Sequence, residues 1–399
     1  MKVLQINATY GYGSTGLIMK DIGDMLTGAG HDAHYAYQSC VDVPQNGYRV
    51  GGKLDWKWHA LACRIFGKQG YYSKAATRKL LKHIAKIKPD VVHLHNLHSN
   101  YIHLNMLLDF LAKNDIATVI TLHDCWYFTG KCFHYADIGC DRFQSGCGQC
   151  PKKKTPPKSL FFDASKRVLK DRYRYLSRIP RLTVVGCSDW VCGEAKKGVL
   201  KDTHITRIYN GVDTEIFKPY EHNVLKEAYG NECFYILGMA NKWLLPSNAQ
   251  LLEEMSKRLS ENYKLVLIGC TEEQAQKLKA KSANIIPIGF IKDRIKLAQY
   301  YSAADVFVNA THVDTLPTVN MESICCGTPV ITYDVTGSPE LILDGCGKVV
   351  KENDIFSLLT WLDARPEKIA AETLPRARVA YDKNKCYKEY LTVYEDLLK

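Results

Sequence analysis

The strongest constraint on the fold is an alternation of short, continuously apolar runs with longer amphipathic segments along most of the 399 residues. Continuous apolar runs are typical of parallel strands that are buried on both faces. The amphipathic segments, among them 74–87, 103–113, 247–261 and 317–326, have helical spacing, so the sequence predicts an α/β fold. The predicted strands are 2–6, 33–38, 90–95, 117–122, 182–187, 234–240, 264–269, 284–288, 305–309 and 329–333.

These strands fall into two series, separated by a polar stretch around 214–232. Single cores stop growing near about 250–300 residues, so the chain length favours two domains. We expect two doubly wound, Rossmann-like domains, 1–213 and 214–383, that face each other across a cleft at their strand ends. The final amphipathic segment, 386–398, could pack on either domain.

Composition argues against several classes of protein. No apolar run approaches the roughly 18 residues of a membrane-spanning helix, and the apolar start of the chain is short for a signal peptide. We therefore expect a cytoplasmic protein whose fifteen cysteines are mostly reduced thiols. The chain has no G-x-S-x-G motif, so serine hydrolysis has little support.

The most informative segment runs from residue 305 to residue 340. A strand is followed by a loop and then by a helix that begins near Leu316, Pro317 and Thr318. Free backbone N–H groups at such a helix end favour a phosphate. Glu322 lies one or two turns along this helix, where a carboxylate can accept hydrogen bonds from two vicinal hydroxyls, such as those of a ribose.

The ordered motifs of the chain resemble those of the retaining GT-B glycosyltransferases of family four. The pattern is two acids separated by seven residues, a Gly-x-Pro-Val strand entry and a Gly-rich turn that ends in Glu. The matching residues are Asp314 and Glu322, Gly327-Thr328-Pro329-Val330, Gly337-Ser338-Pro339-Glu340, Asn210-Gly211-Val212-Asp213, Thr121-Leu122-His123-Asp124 and the Gly-rich turn 11–16.

This resemblance implies that a nucleotide sugar binds mainly to the C-terminal domain and an acceptor mainly to the N-terminal one. It implies that residues 384–399 cross back to the N-terminal domain. The implied mechanism is front-face substitution, in which the leaving phosphate oxygen takes the acceptor proton. No catalytic cofactor and no protein nucleophile are needed, and the protein stabilises the departing diphosphate.

The resemblance also carries over roles to single residues. Glu322 would hold the ribose, Asp314 would face the donor sugar or phosphates, and His123 would reach the donor sugar from the opposite wall. The Gly-rich turn would approach the diphosphate. The predicted donor-binding set is Gly13, Ser14, Gly16, Asn210, Leu316, Pro317, Thr318 and Glu322.

The chain departs from the family pattern in two places. The first acid is usually Glu, and here it is Asp314. An Arg and a Lys usually clamp the diphosphate, and here their positions hold Pro246 and Ser247. Lys242 is the only cation in the segment 238–248, so we predict that it is the substitute clamp.

The Gly-rich turn also spells GxGxxG, the dinucleotide fingerprint. Two details argue against a nicotinamide cofactor: four residues separate the end of the predicted first strand, Ile6, from Gly11, and the second strand ends at Gln38, where the fingerprint needs an acid. The turn is therefore interpreted as the phosphate-approaching loop of a glycosyltransferase, and a plain tight turn is the alternative.

Two further clusters invite a metal. Cys132, Cys140, Cys147 and Cys150 lie within nineteen residues and could hold a structural zinc; buried reduced thiols are the alternative, and a disulfide is less expected. The histidines at 93, 95, 98 and 103 are a weak metal motif. We expect the first two to face opposite sides of the sheet, with one histidine lining the cleft.

Segment 151–181 holds eleven basic and two acidic residues, a net charge of +9 out of +11 for the whole chain. A basic amphipathic helix here could lie on an anionic membrane surface at the inner face of the membrane. The alternative is a packed helix with a solvated basic face. No recognition motif accompanies the charge, so nucleic acid is not an expected partner. The apolar residues of this segment include Leu160, Phe161, Phe162, Val168, Leu169, Tyr173 and Leu176.

The sequence thus predicts a hexosyltransferase that uses a UDP- or GDP-linked sugar and a glycan or lipid-linked acceptor in cell-surface polysaccharide assembly. Two alternatives remain open: a nucleotide-sugar epimerase or phosphorylase on the same fold, and a non-catalytic partner or glycan-binding protein.

Overall fold

The computed structural model describes residues 1–230 and 232–399. The chain forms two compact units, which we call unit 1 (1–209 and 386–399) and unit 2 (210–385). The sequence-based division was placed at 213/214 and 383/384, within four residues of these junctions. No helix in the described residues is long and apolar enough to cross a bilayer.

Unit 1 is built on a parallel sheet with the strand order β3-β2-β1-β4-β5-β6-β7. The order reverses between β1 and β4, which creates the crevice at the carboxyl ends of these strands where doubly wound sheets bind ligands. Its elements are β1 (Lys2–Tyr10), α1 (Gly13–Gly28), β2 (Asp32–Cys40), β3 (Gly47–Arg49), α2 (Lys53–Phe66), α3 (Lys74–Ile87), β4 (Val91–Leu94), α4 (Leu104–Lys113), β5 (Ala117–Leu122), α5 (Ser165–Leu176), β6 (Leu182–Gly186), α6 (Asp189–Lys196) and β7 (His204–Arg207).

Unit 2 repeats the design with the parallel order β10-β9-β8-β11-β12-β13, reversing between β8 and β11. Its elements are α7 (Val224–Tyr229), β8 (Phe234–Met239), α8 (Ala240–Trp243), α9 (Ala249–Arg258), β9 (Tyr263–Ile268), α10 (Glu272–Lys281), β10 (Ile285–Ile288), α11 (Arg294–Ala303), β11 (Val306–Asn309), α12 (Thr318–Cys325), β12 (Val330–Tyr333), β13 (Gly347–Val350), α13 (Ile355–Asp363) and α14 (Leu374–Tyr381). The last helix, α15 (Lys383–Leu398), begins in unit 2.

From residue 386 onward, α15 belongs to the core of unit 1. Its buried tyrosines attach it to the sheet: the Tyr390 hydroxyl lies 2.9 Å from the Thr121 hydroxyl, and the Tyr394 hydroxyl lies 2.7 Å from His93 Nδ1. These hydrogen bonds satisfy polar groups that would be costly to bury alone. The C-terminal helix is therefore a structural part of unit 1.

Candidate functional site

The reversal of strand order in unit 2 brings together the two charged residues predicted to act on the donor. Lys242 follows β8 and Asp314 follows β11, and these strands are neighbours in the sheet. The Lys242 ammonium lies 3.6 Å from an Asp314 carboxylate oxygen and donates to the Thr311 hydroxyl at 3.0 Å. Both charged side chains keep about 30% of their surface exposed (28% and 31%), so a ligand can reach them.

The Asp314 loop is held by a residue that the sequence analysis did not assign. The Thr336 hydroxyl accepts from the Asp314 N–H at 3.0 Å and donates to the Asp314 carbonyl at 2.5 Å. Thr336 has φ +50°, a conformation that costs a β-branched residue energy and is kept where the surroundings require it. One Asp314 carboxylate oxygen accepts from the Leu316 N–H at 3.2 Å, which fixes the carboxylate.

Asn248 is a second residue that the sequence analysis did not assign. Its buried amide donates to the carbonyls of Lys242 and Ala310, at 3.0 and 2.6 Å, and so ties the segment after β8 to the segment after β11. Its oxygen lies 2.9 Å from His312 Nε2. Since the amide nitrogen donates twice, the oxygen accepts from His312. The signal available in the sequence was only a polar residue within a predicted helix.

The N-terminus of α12 has the features of an anion site. Pro317 precedes its first residue, and no side chain caps it. Two buried groups in the same region lack a hydrogen-bond partner among the described residues, namely the Asn320 amide nitrogen and the Ser338 hydroxyl. Buried polar groups are almost always paired, so these two are suited to a ligand or an ordered water.

Glu322 lies in the second turn of α12, partly buried. Burial raises the pKa of its carboxyl from 4.5 to about 7, and the nearby Arg294 guanidinium opposes that shift. The Tyr301 hydroxyl donates to one carboxylate oxygen at 3.2 Å. Near neutral pH the carboxyl is therefore poised between a protonated form and an ionised form that accepts hydrogen bonds.

The hydrogen bonds described above include neither the usual clamp positions nor Asn210, the last predicted donor residue of unit 2. Pro246 and Ser247, at the positions of the usual clamp, are both exposed. Asn210 is buried, and two residues later Val212 forms an isolated parallel β-bridge with Asp382. The next residue, Gly211, lies so close to the Lys383 backbone that a Cβ would come within 2.3 Å of its Cα.

In unit 1 the Gly-rich turn follows β1 directly. The strand ends at Tyr10 and not at Ile6, and β2 ends at Cys40 and not at Gln38. Both strand ends used against the dinucleotide fingerprint were therefore wrong, and Asp42 lies only two residues beyond β2. The sequence places the end of β1 too early because the polar residues Asn7 and Thr9 interrupt its apolar run.

The turn itself leads into helix α1, which begins at Gly13. Gly11 and Gly13 have φ of +73° and +66°, and a Cβ on either would meet no atom within 4 Å, so the backbone is open to a ligand. Ser14 is exposed, and Tyr12 at the N-cap position makes no capping bond. Gly16 has a packing role, because a Cβ there would come within 2.7 Å of the Thr9 hydroxyl.

His123, after β5, is the last member of a chain of hydrogen bonds that runs from Gln5 through His95, which we call the relay. The Gln5 amide donates to the Met19 carbonyl at 3.0 Å, so the Gln5 oxygen accepts from His95 Nε2 at 3.1 Å. Burial lowers the pKa of His95 well below its usual range, so the ring is neutral and its Nδ1 must accept. His123 Nε2 lies 3.0 Å away and therefore carries the proton.

Burial also lowers the pKa of His123, to about 4, although the Asp124 charge opposes this shift. His123 is therefore neutral at pH 7, with its proton on Nε2 and a lone pair on Nδ1.

The other histidines have separate structural partners. The expectation that His93 and His95 face opposite sides of the sheet was wrong. Residues two apart on a strand share a face, and the centroids of these two rings are 4.0 Å apart. His93 bonds Thr121 and Tyr394, His98 lies 2.9 Å from Asp124, and His103 accepts from the N–H of Met106 at the start of α4.

The four cysteines of the predicted zinc site are not brought together as a metal site. Among the described residues, no three His, Cys, Asp or Glu side chains converge to hold a metal. The Cys132 thiol instead donates to the Cys150 sulfur, which lowers the pKa of Cys150 to about 6 and raises that of Cys132. Cys147 accepts from the Gly130 N–H at 3.3 Å, and Cys140 is half-buried. The structural zinc stays a prediction.

The basic segment 151–181 does not present the predicted apolar helix face to solvent. Helix α5 buries Val168, Leu169 and Leu176, so it is a packed helix with a solvated basic face. The exposed apolar residues of the segment are Tyr173 and the three residues 160–162, which precede the helix.

Two family models match this chain. The model described as Glycosyltransferase Family 4 matches residues 17–216, about half of the chain, and the model described as Glycosyl transferases group 1 matches residues 241–362. Among curated proteins, the chain is 26% identical over 328 residues to the protein named as the colanic acid biosynthesis glycosyl transferase WcaC of Escherichia coli (strain K12). This match covers 77% of each chain.

Two solved structures share the fold at low identity. Sucrose-phosphate synthase from Thermosynechococcus elongatus has a TM-score of 0.69 at 15% identity, over 99% of this chain and 98% of that one. Anabaena HepE, solved in complex with UDP, has a TM-score of 0.64 at 14% identity, over 99% of this chain and 100% of that one. Both likenesses extend over both units.

Proposed function

Because the chain belongs to glycosyltransferase family 4, a family of the two-unit GT-B fold, we propose that it transfers a hexosyl group, with retention, from a nucleotide sugar to a surface-glycan acceptor. The similarity to WcaC supports a role in polysaccharide synthesis. The complex of Anabaena HepE with UDP supports a uridine donor as the first to test, with a guanosine donor second.

The observation that carries this proposal is the Lys242–Asp314 pair after β8 and β11, beside the uncapped N-terminus of α12. In the proposed reaction, the bond between the anomeric carbon and the β-phosphate oxygen breaks while a bond to the acceptor hydroxyl oxygen forms on the same face. The acceptor proton goes to the leaving phosphate oxygen. The protein must then stabilise the charge that develops on the diphosphate.

Each of the predicted site residues has a role in this proposal. The Lys242 ammonium and the first N–H groups of α12 offset the charge of the leaving diphosphate. Asp314 orients Lys242, and its carboxylate faces the donor. Glu322 accepts the ribose hydroxyls. By resemblance to the family, His123 reaches the donor sugar and the Gly11–Gly16 turn approaches the diphosphate.

Isothermal titration with UDP, GDP and UDP-glucose tests the donor side. We expect one nucleoside diphosphate to bind, with affinity lost in Glu322→Ala and weakened in Lys242→Ala. Release of the nucleotide from a bound sugar donor would then establish turnover, and the anomeric coupling of the product would report retention. Folded protein that binds none of these nucleotides would contradict the proposal.

A further inference from the structure

Helix α2 carries an apolar stripe that the rest of the described chain leaves exposed. Leu54, Trp58 and Leu61 keep 83%, 65% and 50% of their surface accessible. At 100° per residue, these positions fall within about 60° of one another around the helix. The opposite face is the one that packs, through the buried residues His59, Ala62 and Cys63. The stripe is therefore a second apolar face, which the described residues do not bury.

Cations border this stripe on one side. Lys53, Lys57 and Arg64 are exposed and lie about 70–110° from its centre on the helical wheel. The one acid of the helix, Asp55, lies on the other side and accepts from the Gly52 N–H at the first turn. The cationic border of the stripe is thus not neutralised by acids of the same helix.

A second exposed apolar element lies at the end of α2. Leu160, Phe161 and Phe162 are 58%, 68% and 56% exposed. The Leu160 N–H donates to the Arg64 carbonyl at 2.7 Å, and the Phe162 ring stacks on Phe66 with centroids 5.9 Å apart. These contacts fix the three residues beside the helix. We call α2 and residues 160–162 together the docking face.

We propose that the docking face lies on the surface of a bilayer that contains anionic lipid. Tryptophan, phenylalanine and leucine on one side and lysine and arginine on the border are the composition by which a helix binds in the interface plane. The aromatic rings enter the headgroup boundary, and the cations attract the lipid charge. The cationic border of the stripe favours a negatively charged partner surface.

A groove next to the docking face gives the membrane a role in catalysis, and this step rests on the proposed function. The groove has a volume of about 550 Å³ and is lined by Trp56 and Arg64 of α2, by Lys158 and by His98. His98 bonds Asp124, the neighbour of His123 in sequence. An acceptor with a lipid diphosphate anchor would pass its anionic part between Arg64 and Lys158 while its lipid stays in the bilayer.

Vesicle sedimentation at low salt tests the docking face without donor or acceptor. Phosphatidylcholine vesicles with and without phosphatidylglycerol would be pelleted with the native chain and two charge variants, Lys53→Gln/Lys57→Gln and Lys166→Gln/Lys170→Gln. The second pair is exposed on α5 and removes the same charge. We expect a roughly thirty-fold fall in the partition coefficient for the α2 pair, which is about 2 kcal/mol, and little change for the α5 pair.

A third variant, Trp58→Ser/Leu61→Ser, tests the apolar contact. It should bind the anionic vesicles at least about tenfold more weakly, because two exposed apolar side chains no longer enter the interface. Equal losses in the two charge variants, or no binding of the native chain to anionic vesicles, would overturn the proposal. So would a native dimer in solution that the serine variant makes monomeric, since the face would then belong to a second copy. None of these outcomes depends on donor binding, so the proposed function is tested separately.

Discussion

The Lys242 ammonium and the Asp314 carboxylate lie 3.6 Å apart after the two strands, β8 and β11, where the sheet of unit 2 reverses its strand order. A lysine held by a carboxylate is positioned before any ligand arrives, and preorganised charge is what makes such groups effective on a leaving diphosphate. The pair thus places a cation at the ends of β8 and β11, although Pro246 and Ser247 occupy the usual clamp positions.

We predict that Lys242→Met lowers kcat by about 10²–10³-fold, the cost of removing one preorganised donor to a developing charge. Asp314→Asn should cost less, and the double variant should be no slower than Lys242→Met if Asp314 acts through the lysine. Lys264→Met is the matched control, because Lys264 is a half-buried lysine of β9 that bonds Asn284. Additive losses in the double variant would contradict this coupling.

The raised pKa of Glu322 predicts a pH dependence of donor binding. With a pKa of about 7, the ionised carboxylate that accepts ribose hydroxyls is lost as the pH falls from about 8 to about 6. We expect the affinity for UDP-glucose to weaken about tenfold over this range. Glu322→Gln should bind weakly with no such dependence. UDP-glucose is the right probe, because its diphosphate does not itself ionise there.

The raised pKa of Glu322 also predicts the direction in which protein stability changes with pH. A carboxyl whose pKa is raised by folding binds more protons in the folded state, so its contribution to stability falls as the pH rises from about 4.5 to about 7. Glu322→Gln should therefore raise the melting temperature relative to the native chain at about pH 8 and leave it nearly unchanged at about pH 4.5. A lower melting temperature of the variant at the higher pH would argue against a carboxyl made unfavourable by burial.

The relay from Gln5 through His95 predicts a tautomer for His123. Gln5→Met removes the acceptor that keeps the proton on His95 Nε2, so His123 should no longer be held as the Nε2–H form. Ring nitrogen shifts in ¹⁵N-histidine-labelled protein measure this directly, and kcat should fall. The melting temperature should fall as well, because the Met19 carbonyl loses its buried hydrogen-bond donor. Tyr394→Phe is the control, because it removes a neighbouring bond to His93 outside the relay. An unchanged His123 tautomer in Gln5→Met would contradict the relay.

Much of the fold could be predicted because the central strands are buried on both faces. The run 117–122 matches β5, and the run 74–87 matches α3. The strands β3, β7 and β13 were missed because they lie at sheet edges and are partly exposed, so their sequences lack continuous apolar runs. Edge strands are recognised by pairing, and pairing is a property of the folded sheet.

Site residues could be predicted from the sequence only where they occupy a position in a recognised motif. Asp314, Glu322 and His123 were found by their place in ordered motifs. Thr336 and Asn248 were missed because their importance lies in hydrogen bonds to residues that are distant in sequence. The prediction of an exposed apolar helix face in segment 151–181 failed for a related reason. The apolar spacing within 168–176 indicates an apolar face but does not show whether the protein core buries that face.

Cys132 and Cys150 give the last prediction. The hydrogen bond between their thiols lowers the pKa of Cys150 to about 6, so at neutral pH this sulfur is largely a thiolate, the reactive form of cysteine. We expect iodoacetamide to label Cys150 ahead of the other cysteines at about pH 7, with a rate that is half-maximal near about pH 6. Cys132→Ala should move that midpoint upward, because it removes the donor that stabilises the Cys150 thiolate, and Cys140→Ala should not. Metal analysis of the same preparation tests the alternative. About one zinc per chain, with Cys150 protected from iodoacetamide until a chelator is added, would contradict the thiol pair and support the predicted four-cysteine zinc site.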